Sequence, residues 1–260
     1  MSDARRSPPR VHCFAHAGAG VSSFSGWQDA LGTGAESVPH LLPGRDSRRD
    51  EPRITGREAL LAEVMEHFAH DDGTPYVLYG HSLGAMVAYT VARALHETGL
   101  PGPALLVVGA CPPPDAPCAL ADACRSPEPE LLGLLGELGA VPEGARPGGL
   151  WHRSVLPVLR DDLVLAHALR GAARLPSAAG RLRVPVLAVA GADDPHAGAR
   201  ALTGWRWWTT GPFALHTVPG DHYFVNGPEL PRLIGRASRV VRRTAPARRR
   251  TAPVPAPSAR

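Results

Sequence analysis

The chain has 260 residues, 44% of them hydrophobic, which suits one domain with a full core. Its formal net charge is +4, with 28 arginines and no lysine. The excess is terminal: residues 230–260 hold nine Arg and no acid and residues 1–10 three Arg and one Asp, so the stretch between carries −7, and the arginine-rich composition is not evidence of nucleic-acid binding.

Residues 1–9 are low in complexity and expected to be disordered, and no apolar stretch follows the arginines of Met1–Arg10, so no secretory signal is expected. Val11–Ala15 predicts a buried strand that places Cys13 in the core. The loop after it, Phe14-Ala15-His16-Ala17-Gly18-Ala19-Gly20, consists mostly of small residues that let a backbone approach a ligand closely. Ser37–His40 predicts a second, weaker strand. Thr55–His70 carries Leu60, Leu61, Val64, Met65 and Phe68 at helical spacing.

Residues 76–79 predict a strand, and the turn that follows is Gly80-His81-Ser82-Leu83-Gly84. Gly-x-Ser-x-Gly is the nucleophile elbow of α/β-hydrolase sheets, in which a strained strand-to-helix turn pushes a serine hydroxyl out of the backbone. The pattern alone is weak. Its context supports it: apolar residues precede it, and an Ala- and Leu-rich helix over 83–97 follows and stops at Gly99-Leu100-Pro101. Strands are predicted at Ala104–Gly109, Val184–Ala190 and Phe213–Val218, and a last helix at about Glu229–Arg242. Short apolar strands alternating with helices predict an α/β fold with a mostly parallel central sheet covered by helices on both faces.

Residues of about 127–170 break the alternation with helices and no strand. Such an insertion commonly covers the ligand crevice above the strand ends, so a helical lid over about 112–172 is expected, the alternative being an extra helical layer. The globular domain is then 10–243, and 244–260 is a disordered Arg/Pro/Ala-rich tail, either solvated or in contact with an acidic partner or nucleic acid. Cys13, Cys111, Cys118 and Cys124 show no metal-ligand pairing, and no run of about eighteen apolar residues could span a membrane. Reduced thiols and a cytoplasmic location are expected.

An elbow serine requires a base and an orienting acid, in the chain order Ser, Asp or Glu, His. The loop after strand 184–190 contains Asp193-Asp194, and the loop after strand 213–218 contains Asp221-His222. Both lie past the carboxyl ends of strands, where open α/β sheets place their sites. Ser82 is thus the expected nucleophile and His222 the base. Asp194 is the expected acid, with Asp193 the alternative, and Asp221 reads as a turn residue. The oxyanion hole is assigned to the Leu83 N–H, directly after the nucleophile, and to an N–H of the loop after the first strand, with Ala17 preferred.

With these motifs in place the chain resembles the type II, stand-alone thioesterases of polyketide and nonribosomal peptide biosynthesis. The resemblance runs from about residue 11 to 228. Its segments are Phe14–Gly18, Leu42-Pro43-Gly44-Arg45 with Glu51-Pro52, Gly80–Ala85, Leu156–Asp162, Asp193-Asp194-Pro195, Trp205, Thr210–Phe213 and Gly220–Phe224. The chain departs from the family at Ala15, where a proline is usual, at Gly18-Ala19-Gly20 and at Trp205-Arg206-Trp207-Trp208, a cluster expected to pack in the core near the lid. The resemblance implies an α/β-hydrolase fold and hydrolysis of acyl thioesters on the phosphopantetheine arm of acyl or peptidyl carrier domains. It also implies clearance of aberrant or stalled acyl units, or product release, with no cofactor or metal and no nucleic-acid or membrane partner. A general carboxylesterase or acyltransferase could use the same triad, and a non-catalytic binder would be expected to have lost a triad member. Docking of an acidic carrier calls for a basic patch, sought at Arg45, Arg48, Arg49 and Arg53 or in the tail, and nothing requires more than a monomer.

Overall fold

A computed structural model describes residues 7–68 and 73–244. In chain order its elements are β1 (Arg10–Phe14), α1 (Trp27–Leu31), β2 (Glu36–Pro39), α2 (Arg57–Val64), β3 (Tyr76–His81), α3 (Leu83–Thr98), β4 (Leu105–Gly109), α4 (Ala119–Asp122), α5 (Glu128–Glu137), α6 (Leu150–Ser154), α7 (Leu156–Arg174), β5 (Val186–Gly191), α8 (Ala199–Leu202), β6 (Phe213–Val218) and α9 (Glu229–Thr244). The six strands form one sheet in the order β2-β1-β3-β4-β5-β6, and every pair is parallel. Strands β4 and β5 are buried along their whole length, as their continuous apolar sequences require of strands covered on both faces. Edge strand β6 instead alternates between half-buried and exposed over most of its length.

Chain direction through the sheet reverses between β1 and β3. That is the switch point at which a doubly wound sheet opens a crevice beyond its carboxyl ends. The loops leaving β1 and β3 flank it. Helix α3 buries twelve of its residues between the sheet and α7, and ends where Gly99 takes a left-handed conformation (φ 69°).

The helix expected over Thr55–His70 is α-helical only as α2. It tightens into a 3-10 turn at Met65–Phe68, which still buries Phe68 behind Leu60 and Val64, and 69–72 lie outside the described residues. The terminal segments expected to be disordered lie outside them too, apart from Ser7–Pro9 at one end and Thr244, which closes α9, at the other.

Between β4 and β5 lie α4 to α7, with α4 absent from the sequence expectation. Leu131, Leu135, Leu156, Leu159 and Leu163 form a second apolar cluster there, while Leu165, Ala166, Leu169 and Ala173 of the same helix α7 belong to the main core. The tryptophan cluster is only partly core. The 3-10 helix Thr203–Trp208 has three residues per turn, so Trp205 and Trp208 face inward and bond the Cys111 carbonyl and Asp115, whereas Trp207 is 65% exposed. Among the described residues no helix is long and apolar enough to cross a membrane.

One polar contact lies at the β1–β2 edge. His12 Nδ1 and His40 Nε2 are 2.8 Å apart and share one proton, with Phe14, Phe68 and Tyr76 packed around the two rings. Burial, aided by repulsion from neighbouring cationic groups, lowers His12 to about 4 and His40 to about 3. Below the ordinary histidine value the unfolded chain therefore binds more protons than the folded one, so this stability is complete above about pH 6.5 and drains as the pH falls toward 4. The urea midpoint is expected to fall between pH 7 and pH 5, and to fall by less in a His12→Phe/His40→Phe variant. Equal losses in the two proteins would count against this account.

Candidate active site

Ser82 sits between the last residue of β3 and the first of α3 with φ 54° and ψ −115°, a backbone conformation that costs a non-glycine residue energy and is held by its surroundings. Its N–H donates to the Gly109 carbonyl at 2.8 Å. The glycines on either side permit the turn: a Cβ on Gly80 would lie 1.8 Å from the Gly84 carbonyl oxygen, and one on Gly84 2.0 Å from that of Phe14. Leu83 opens α3, so its N–H has no carbonyl one turn behind it and is free to meet a ligand.

The loops after β5 and β6 bring two more side chains to this point. The Ser82 hydroxyl lies 3.2 Å from His222 Nε2, and His222 Nδ1 lies 2.8 Å from Asp194 Oδ2. A proton on Nδ1, donated to Asp194, leaves Nε2 to accept from the serine. Asp194 is 6% exposed, and its other oxygen accepts the His196 and Ala197 N–H groups, each at 3.0 Å. Burial opposes its charge, but these hydrogen bonds and the attraction of His222 outweigh it and hold the carboxyl below the usual carboxylate range. Asp193 is exposed, and Asp221 accepts the Tyr223 N–H at 2.8 Å within its own turn. The structure therefore brings Asp194, and neither neighbour, to the histidine.

His81 has no role in the sequence reading, yet it supports the site. It is fully buried, which with repulsion from His222 and His16 drives it well below the ordinary histidine value and keeps it neutral. Its Nε2 lies 2.7 Å from the His222 carbonyl, which can only accept, so Nε2 carries the proton and Nδ1 accepts from the Tyr79 hydroxyl at 2.7 Å. This bond fixes the backbone from which the His222 ring projects. A polar residue inside an otherwise apolar strand is the signal that could have found it.

Ala17 and Leu83 share with Ser82 and His222 the wall of one pocket, whose apolar lining includes Met86, Leu163 and Ala166. The loop that carries Ala17 is held from outside. Gly18 N–H donates to Asp162 Oδ2 at 2.7 Å, and Arg45 binds both oxygens of that carboxylate at 2.8 and 2.7 Å. Arg45 is thus buried and paired. Arg48 binds Glu51 and Glu63, and Arg53 binds Asp161. The basic patch expected at Arg45, Arg48, Arg49 and Arg53 is therefore largely neutralised: among the described residues only Arg49 of the four has no carboxylate partner.

Residues 9–239 match the thioesterase domain family. Thioesterase PikA5 of Streptomyces venezuelae is 33% identical over 227 residues, 86% of this chain and 78% of that protein. The solved structure of the RedJ thioesterase from the prodiginine biosynthetic pathway in Streptomyces coelicolor superposes with a TM-score of 0.75 at 34% identity, over 89% of this chain and 90% of that one. YbtT, a type II thioesterase from the yersiniabactin NRPS/PKS biosynthetic pathway, superposes with a TM-score of 0.71 at 25% identity, over 93% and 94%.

Removing the negative charge behind His222 leaves the imidazole free to take the wrong tautomer. Asp194→Asn is expected to lower kcat on a p-nitrophenyl ester by about 10³- to 10⁴-fold, whereas Asp193→Asn stays within about threefold of the parent because its side chain is solvated. Steady-state kinetics of the two variants decides the matter, and equal losses would remove Asp194 from the role.

Proposed function

The chain belongs to the thioesterase family, and we propose that it is a type II enzyme that hydrolyses acyl thioesters on the phosphopantetheine arm of acyl or peptidyl carrier domains through a Ser82 acyl-enzyme. The observation that carries this reading is the hydrogen-bonded line Ser82–His222–Asp194 at the wall of a mostly apolar pocket. His222 Nε2 takes the serine proton as Oγ attacks the thioester carbonyl, and the imidazolium that forms is stabilised by Asp194. Ala17 and Leu83 N–H groups receive the developing oxyanion, a donor worth about 10²–10³ in rate each. The carbon–sulfur bond then breaks. The imidazolium gives its proton to the departing thiolate, which needs little of that help because its thiol has a pKa near ~8.5 if it behaves as a free cysteine, and His222 is neutral again. His222 next takes a proton from water, hydroxide adds to the acyl carbon, and Ser82 leaves with the proton restored. Hydrolysis of the acyl-enzyme is the slower half-reaction, so a rapid initial release of thiol is expected before the steady state.

We assign the acyl chain to the pocket of Met86, Leu163 and Ala166, and the helices of 112–172 to its lid, supported by the lid's own apolar cluster. A second groove, with about 680 Å³ of open space between His16, Leu159, Tyr223 and Asn226, meets the first at Ala17 and suits the amide-bearing arm. The exposed cations left for an acidic carrier include Arg236, Arg239 and Arg243, at helical spacing along one face of α9. PikA5 carries the name of a thioesterase, and RedJ and YbtT are thioesterases from biosynthetic pathways, which supports a role in clearing stalled acyl units or releasing product in such a pathway. The four cysteines are free thiols, which suits the cytoplasm.

The test is hydrolysis of acetyl- and longer acyl-phosphopantetheinyl carrier protein beside p-nitrophenyl esters, with Ser82→Ala as the blank. Serine-dependent release that favours the carrier-bound thioester is the expected result. Turnover of the small ester alone would make the protein a general esterase.

A further inference from the structure

We propose that Asp162, gripped by Arg45, is a positioning residue that latches the oxyanion loop to helix α7, so that the Ala17 donor is aimed only while α7 is docked. The inference rests on the reading of Ala17 N–H as an oxyanion donor.

Between Ala15 and Gly20 only His16 has a side chain longer than a methyl group, so the loop has little of its own with which to set its shape. One backbone bond, Ala19 N–H to the His16 carbonyl at 3.2 Å, closes a turn with Ala17 and Gly18 at its centre. Gly18 has φ 79°, the value that the third position of a type II turn requires. Gly18 N–H belongs to the peptide next after that of the Ala17 N–H, so its 2.7 Å bond to Asp162 anchors the turn, and with it the Ala17 N–H, to α7.

Asp162 is 1% exposed, and a carboxylate so buried needs charge and hydrogen bonds around it. Arg45, 8% exposed, supplies both as a fork to the two oxygens, and the same Nη1 donates to the Ala19 carbonyl at 3.0 Å. One guanidinium therefore holds the latch and the far side of the turn. An apolar pair would stabilise such a contact at least as well, which leaves orientation as what the ions add. The contact also joins the loop to the pocket. On α7, Asp162 lies between Leu159, which packs against Gly18, and Leu163 and Ala166, which line the acyl pocket. An acyl chain that the pocket admits without shifting α7 leaves the latch shut, and one that displaces α7 opens it. Fit in the pocket is thereby converted into rate at the carbonyl.

The test is the double variant Arg45→Met/Asp162→Leu, which removes both ions and leaves no lone buried charge. Thermal unfolding reports folding, and kinetics are read on acyl carrier protein and on a p-nitrophenyl ester. The double variant is expected to fold and to lose about 10²-fold in kcat, with KM changed less than about threefold. Ala17→Pro, which suits the second position of a turn but deletes the N–H, is expected to cost far less in that background than in the parent, because the two changes remove one interaction. A folded double variant with parental kcat, or losses that add, would overturn the proposal. If the double variant does not fold, Arg45→Lys keeps the charge but not the fork. A lower kcat at constant KM is then expected, and unchanged kcat would overturn the proposal. The ester assay needs the serine and the hole but no carrier, so it separates failure of the latch from failure of the carrier-protein reading.

Discussion

The whole site depends on how closely three backbone segments crowd at the top of the sheet. The end of β3, the start of α3 and the end of β1 approach so nearly that a single methyl group on Gly80 or Gly84 would overlap a carbonyl. That crowding forces Ser82 into its unfavourable conformation and points its hydroxyl into the crevice. It also sets the first turn of α3 beside the loop that leaves β1. Ser82, Leu83 and Ala17, from separate backbone segments, thereby share one pocket wall.

Charge is managed by what surrounds each group. Asp194 stays ionised because three N–H groups converge on it, one of them on the His222 ring. His81 stays neutral because it is buried beside two other imidazoles. The two outcomes cooperate: a neutral His81 donates to the His222 backbone while an ionised Asp194 accepts from the His222 ring. The base is held from both ends in the tautomer that can receive a serine proton.

Much of this is legible in the sequence because it is local. The strand runs, the glycine-flanked serine and the acid and histidine after successive strands are each contained within a few residues, and chain order supplies the rest. What is not legible depends on how distant segments meet. Asp194 is preferred to Asp193 in the sequence, but only the turn after β5, which aims it at His222, separates the two. Arg45 and Asp162 are 117 residues apart, so each is visible only as part of a separate motif, and Arg45 reads as a surface cation until its partner is seen. Trp207 reads as one of a group with its neighbours because the three-residue period of the segment, which turns it outward, cannot be seen in four adjacent letters.

Helix α7 has one part in the small cluster of the insertion and the other in the main core. The reacting groups come from the loops that leave the strands, whereas much of the pocket wall comes from the insertion between β4 and β5 and from α3. Chemistry and substrate choice are thus written on different stretches of chain. An insertion that kept its seat on α3 and its carboxylate at 162 could be exchanged for another of different bore, and the scaffold could be refitted to a new acyl group without re-evolving its reaction.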